Sequence, residues 1–102
     1  MAKVTVARVT DIPIGGAKAV SVGALTIALF HRPEGWFAIE GICTHKGGPL
    51  AEGDVEGLAV TCPWHGGRFD IRTGAVLGPP PARPERAFPV VIEGEDVALD
   101  VS

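Results

Sequence analysis

The sequence predicts an all-β fold, and three observations carry that expectation. Glycine and proline are abundant, 14 and 9 of 102 residues. They disfavour a helix interior by about 1 and about 3 kcal/mol respectively. Short runs of apolar–polar alternation recur between turn signals, the pattern of half-buried antiparallel strands. Finally, 46% hydrophobic and 21% charged residues are ordinary for a folded chain of this length, enough for one modest core. Residues 1–102 read as a single domain.

The elements follow in order. Val4 to Val9 alternates β-branched residues with polar ones and reads as a strand, broken by the turn chemistry of Asp11–Gly16. Val20 to Arg32 reads as a strand, a turn near Gly23 and a second strand, LTIALFHR. Pro33-Glu34-Gly35 turns the chain into a strand from Gly35 to Glu40. The stretch from Gly41 to Pro81 differs, holding nine glycines and five prolines around two brief strand-like pieces, Leu58–Thr61 and Arg68–Ile71. One strand then runs from Ala87 to Glu93, a turn spans Glu93–Asp96, and a last strand runs from Val97 to Val101. The sequence thus predicts an antiparallel β frame built from both ends of the chain, with a loop-rich insert at about 41–81. Loops on a rigid frame are where sites tend to lie.

Several function classes are excluded. A formal charge of −3 with nine scattered Lys and Arg is not the basic stripe of a nucleic-acid binder. No apolar run approaches the ~20 residues that cross a bilayer. The opening MAKVTVARV alternates instead of forming a secretory signal, so a reducing, cytoplasmic setting is expected. No Gly-x-Gly-x-x-Gly follows a strand, so no dinucleotide site is indicated.

The insert carries the chemistry. Cys43-Thr44-His45 is followed, after sixteen residues, by Cys62-Pro63-Trp64-His65, and glycines follow each hook at Gly47, Gly48, Gly66 and Gly67. Buried filler cysteines with ordinary histidines are one reading, but they leave the matched spacing unexplained. A Cys43–Cys62 disulfide gives the histidines no role, and a catalytic Cys–His dyad needs no duplicate. Structural zinc is the serious alternative, since two Cys and two His can close a tetrahedron. Zinc hooks, however, usually leave two to four residues between ligands. A binuclear iron–sulfur cluster, with thiolates on one iron and imidazoles on the other, suits alternating ligands.

Cys43-Thr-His-Lys-Gly-Gly-Pro-Leu50 and Cys62-Pro-Trp-His-Gly-Gly-Arg-Phe-Asp70 resemble the two cluster-binding boxes of Rieske-type [2Fe-2S] ferredoxins. Thr73-Gly74 and Gly78-Pro79-Pro80 are similar to that family's stretch leading to its proline loop. The resemblance implies a Rieske-like antiparallel β-sandwich with a cluster-binding subdomain. It implies Cys43 and Cys62 as thiolate ligands of an inner iron, and His45 and His65 as imidazole ligands of an outer iron.

Mixed ligation has an electrostatic consequence. With two thiolates and two neutral imidazoles the oxidised cluster is formally neutral, whereas a four-thiolate cluster starts doubly negative and resists a further electron. Rieske centres in general span roughly −150 to +300 mV, against about −400 mV for plant-type ferredoxins. Respiratory members of the family carry a disulfide and a serine where this sequence has Gly48, Trp64 and Gly67. That departure implies the lower part of the range, about −150 to 0 mV.

Other residues carry subsidiary expectations. Gly47, Gly48, Gly66 and Gly67 are candidate N–H donors to sulfur, and Pro49, Pro63 and Pro79–Pro81 are candidates to stiffen the loops. His31 reads as an exposed turn residue, and Trp36 and Trp64 as packing groups, with Trp64 also able to shield a cluster edge. Glu52, Asp54 and Glu56 read as a solvated loop, with an acidic docking rim as the alternative. Leu50, Pro79 and Pro80 are candidates for a small apolar docking patch.

The resemblance implies a one-electron carrier, not itself an enzyme, that takes electrons from a flavoprotein ferredoxin reductase and passes them to a terminal oxygenase, as a dioxygenase component. The alternative it leaves is the small subunit of an NADH-dependent nitrite reductase, held by that enzyme's large subunit. Nothing in the sequence demands more than a monomer.

Overall fold

A computed structural model of the chain describes residues 3–42, 49–64, 66–78 and 84–101. The architecture is organised about one strand. β3 (Leu25–Arg32) pairs antiparallel with β2 (Ala17–Val22) on one side and β4 (Gly35–Glu40) on the other, and β9 (Ala87–Phe88) adds to β4. Apolar residues fill β3 on both faces. Ile27 and Leu29 point into one core while Ala28 and Phe30 point into another, all four fully buried. A strand covered on both faces reads as a continuous apolar run, which is why LTIALFHR lacks alternation.

The first core lies between this sheet and a three-stranded one, in which β11 (Asp96–Asp100) is flanked by β1 (Lys3–Arg8) and β10 (Val90–Glu93). Val97 and Leu99 of β11 meet Ile27, Leu29, Val20, Ala38 and Phe88 there. The two ends of the chain therefore do build one sandwich, all antiparallel. Trp36 packs against this core as expected.

The stretch from Ala87 to Glu93 is two strands rather than one. Pro89 has no N–H and cannot continue a ladder. Ala87 and Phe88 pair with Ile39 and Ala38 in the central sheet, whereas Val90–Glu93 pair with Asp96–Leu99 in the other. Proline sits at the step from one layer to the next, and its carbonyl accepts from the Asp100 N–H at 3.0 Å.

The second core is roofed by the insert. β5 (Asp54–Glu56), β6 (Ala59–Thr61), β7 (Arg68–Asp70) and β8 (Val76–Gly78) form an antiparallel four-stranded sheet. Val60 and Phe69, directly paired, pack with Leu50, Cys62 and Ile71 against Ala28, Phe30 and Ile39. The insert is thus more regular than its composition suggests. β5 and β8 are strands where loop was expected, each three residues long and held by pairing. Among the described residues no helix is long and apolar enough to cross a membrane.

Candidate metal centre

The described flanks of both hooks are tied down by backbone hydrogen bonds. Ile42 and Pro49 form an antiparallel bridge, and the Leu50 N–H donates to the Gly41 carbonyl at 2.8 Å, joining the chain on either side of 43–48. Leu50 then starts a single 3-10 turn (Leu50–Glu52) with its side chain fully buried. β6 leads directly into the second hook. The Cys62 N–H donates to the Gly67 carbonyl at 2.7 Å, and the Gly66 N–H donates to the Cys62 carbonyl at 3.0 Å. Gly66 sits at φ +74°, which a side chain rarely tolerates.

Cys62 is free and only 2% exposed, at the edge of the second core. A buried sulfur of this kind is chemically suited to hold a soft or borderline metal such as iron or zinc. Two residues further on, Trp64 is 59% exposed. The loop therefore crosses from interior to surface within three positions. Cys43, His45 and His65 lie outside the described residues, as do Gly47, Gly48 and Pro79–Pro81.

A third connection follows the second hook in the chain. The Gly74 N–H donates to the Asp70 carbonyl at 2.7 Å, and the Gly74 carbonyl accepts from the Glu85 N–H at 2.8 Å. Gly74 has φ +79°, and a Cβ there would overlap the Glu85 carbonyl oxygen. The residue after the family-like Thr73 has to be glycine for both reasons. Glu85 itself is 5% exposed.

Beside this connection lies an ion pair that the sequence reading missed. Asp70 Oδ1 accepts from the Arg72 N–H at 2.8 Å and from Nε at 3.2 Å, while Oδ2 accepts from Nη2 at 2.9 Å. The Arg72 side-chain hydrogen bond and charge, with the backbone N–H, hold the Asp70 carboxyl below its ordinary value despite burial, which acts the other way. The Asp-x-Arg spacing at a strand end, where an aspartate bonds the backbone two residues on, was the available signal.

Several expectations are corrected. Leu50 is fully buried and cannot offer a docking surface; apolar character beside Pro49 reflected core packing. Gly66 spends its N–H on the Cys62 carbonyl, so it is no donor to sulfur. His31 is a half-buried β3 residue, with Nδ1 2.7 Å from the Ile12 carbonyl oxygen and its ring stacked on Trp36 at 3.9 Å and 14°. Register places these two rings opposite each other. Trp64 is exposed rather than a packing group. Asp54 and Glu56 stand on the exposed face of β5 instead of in a loop, with Val55 between them packed on the second core.

Fold and site together define a small all-β protein whose insert carries a buried cysteine two residues from an exposed tryptophan. The Rieske [2Fe-2S] domain model matches residues 2–92. The biphenyl dioxygenase ferredoxin subunit of Pseudomonas sp. (strain KKS102) is 41% identical over 95 residues, covering 92% of this chain and 87% of that one. A solved complex of reduced oxygenase and oxidised ferredoxin in carbazole 1,9a-dioxygenase contains a chain 31% identical, with TM-score 0.88 and coverage of 95% and 91%. The fold is also shared by a putative nitrite reductase NADPH (small subunit) protein, at 20% identity and TM-score 0.85, over 99% of this chain and 100% of that one. This chain belongs to the Rieske [2Fe-2S] domain family.

Proposed function

We propose that the protein is a one-electron carrier, not itself a catalyst, which takes electrons from a flavoprotein reductase and delivers them to a terminal oxygenase of the ring-hydroxylating type. The observation that carries this reading is the second hook, where a cysteine 2% exposed is followed two residues later by a tryptophan 59% exposed. A redox group held there is anchored in the core and reaches the surface, as a carrier requires. Similarity to a ferredoxin subunit over 92% of the chain supports the same reading.

In this reading Cys43, His45, Cys62 and His65 hold one [2Fe-2S] cluster. When bound, that group stores and releases a single electron. The chain's own contribution is a fixed, partly dry setting. The second core packs around Cys62, and the bonds from the Cys62 N–H to Gly67 and from the Gly66 N–H to Cys62 tie the two ends of its loop together. Rigid surroundings limit the rearrangement that accompanies each change of charge.

The nitrite reductase small subunit shares the fold at 20% identity, whereas the ferredoxin subunit shares sequence at 41%. The carrier reading is therefore preferred. It includes a monomeric protein, in the cytoplasm, that leaves its partner between turnovers. The test is reconstitution. Reduced protein is mixed anaerobically with a ring-hydroxylating oxygenase, and its reoxidation is followed by absorbance, with gel filtration of the mixture alongside. Reoxidation that scales with oxygenase, with no complex surviving dilution, supports the shuttle. A permanent complex with a nitrite reductase large subunit overturns it.

A further inference from the structure

Gly53 has no unusual backbone conformation, with φ −78° and ψ 162°, so its lack of a side chain answers to something other than a turn. A Cβ built on it would overlap the Thr61 carbonyl oxygen, and would lie 3.1 Å from both the Thr61 carbonyl carbon and Val60 Cγ2. Thr61 is the residue immediately before Cys62. Gly53 ends the arm that begins at Pro49 and Leu50, where the chain leaves 43–48, and its own N–H donates to the Leu50 carbonyl at 3.0 Å. The arm is anchored at its other end by the Ile42–Pro49 bridge and the Leu50–Gly41 bond. Leu50 and Cys62 belong to one buried cluster. The flank of the first hook therefore rests, backbone against backbone, on the strand that delivers the second.

We infer that Gly53 is a positioning residue that sets the spacing between the two hooks through its contact with the Thr61 carbonyl. The inference rests on the proposed assignment of ligands to both hooks. Four ligands from two separate loops converge on one group only if the loops keep a fixed separation, and a cluster ligand set tolerates little error. Overpacking this contact has to move the Thr61 carbonyl, and Cys62 follows it directly in the chain.

The test uses the full chain, purified with its cluster, in four variants. Gly53→Ala is compared with Gly16→Ala, where a Cβ would lie 3.0 Å from the Pro13 carbonyl oxygen, a close contact in the β frame, and φ is not positive. Leu50→Val, which loosens the same arm from its buried side, is compared with Leu29→Val, an equal truncation in the other core. The readouts are iron and acid-labile sulfide per chain, the rate of cluster loss to a chelator, and the electron paramagnetic resonance line shape of the reduced protein. Gly53→Ala and Leu50→Val are expected to lose the cluster on the order of tenfold faster and to shift the g values, while both controls match wild type.

If Gly53→Ala gives no folded protein, the Leu50→Val and Leu29→Val pair decides. A changed line shape in Leu50→Val alone upholds the inference, and equal behaviour of the two overturns it. A wild-type line shape and loss rate in Gly53→Ala also overturn it. Absence of iron and labile sulfide from the wild-type protein is a different result, and removes the ligand assignment itself.

Discussion

The Cys62 N–H donates to the Gly67 carbonyl across a distance of 2.7 Å, closing the second hook on itself. The bond places the end of the loop over its own start and ties the Cys62 backbone to Gly67. The Cys62 side chain is packed into the second core, and its loss is felt in both site and fold.

Cys62→Ser is accordingly expected to empty the site. Metal content should fall by more than the roughly 10- to 100-fold that changing a ligand's hydrogen-bond partner costs, and the melting temperature should drop because metal binding and local folding are linked. Iron and labile-sulfide assays with thermal unfolding check this. Full cluster content in the variant contradicts the assignment.

His65→Cys replaces a neutral imidazole by an anionic thiolate. If the variant assembles, its midpoint potential should fall by on the order of 100 mV, in the direction of the gap between Rieske and four-thiolate centres. Redox titration measures it, and an unchanged or higher value counts against His65 as a ligand.

Asp70, at the end of β7, makes the fold sensitive to acid. Its folded pKa lies below the ordinary 3.8, chiefly through the Arg72 side-chain hydrogen bond. Its contribution is therefore fully present above the unfolded value and is lost as pH falls through the folded one. Asp70→Asn should cost about 1 kcal/mol at neutral pH, discounted because Arg72 is half exposed. The gap to wild type should stay level from about pH 7 to 5 and shrink below about pH 4. Urea unfolding across that range is the measurement, and a gap that widens in acid refutes the sign.

Trp64, 59% exposed beside the second hook, is the aromatic a partner would meet first. Trp64→Ala should change stability by no more than about 0.5 kcal/mol and raise the apparent KM of an oxygenase for the carrier about fivefold or more. Steady-state turnover with varied carrier concentration tests this; an unchanged KM removes Trp64 from the docking surface.

The frame was legible because its strands carry their own signals. Leu25–Arg32 and Gly35–Glu40 carry runs of apolar and aromatic residues on either side of the Pro33-Glu34 turn, and both are legible to the residue. Asp54-Val55-Glu56 and Val76-Leu77-Gly78 were not, because acidic residues and glycine are poor strand formers and only pairing with β6 and β7 makes them strands. Pro89 marked the division of the Ala87–Glu93 stretch, yet only the structure shows that its halves enter different sheets. Local context misled for Leu50, His31 and Trp64, since burial depends on which distant residues arrive. The Gly53–Thr61 contact leaves no local trace, because Gly53 sits at an ordinary φ. The two hooks themselves were plain in the sequence as a repeated pairing of ligand types.

In the carrier reading, two thiolates and two imidazoles hold a [2Fe-2S] group. The most direct measurement is nitrogen hyperfine spectroscopy of the reduced protein, prepared with and without 15N-labelled histidine, alongside metal and sulfide analysis. Iron and labile sulfide are expected in equal amounts, two of each per chain, with couplings that change with the label as two coordinated imidazoles require. Zinc in place of iron, or a reduced cluster whose spectrum ignores the label, would contradict that reading.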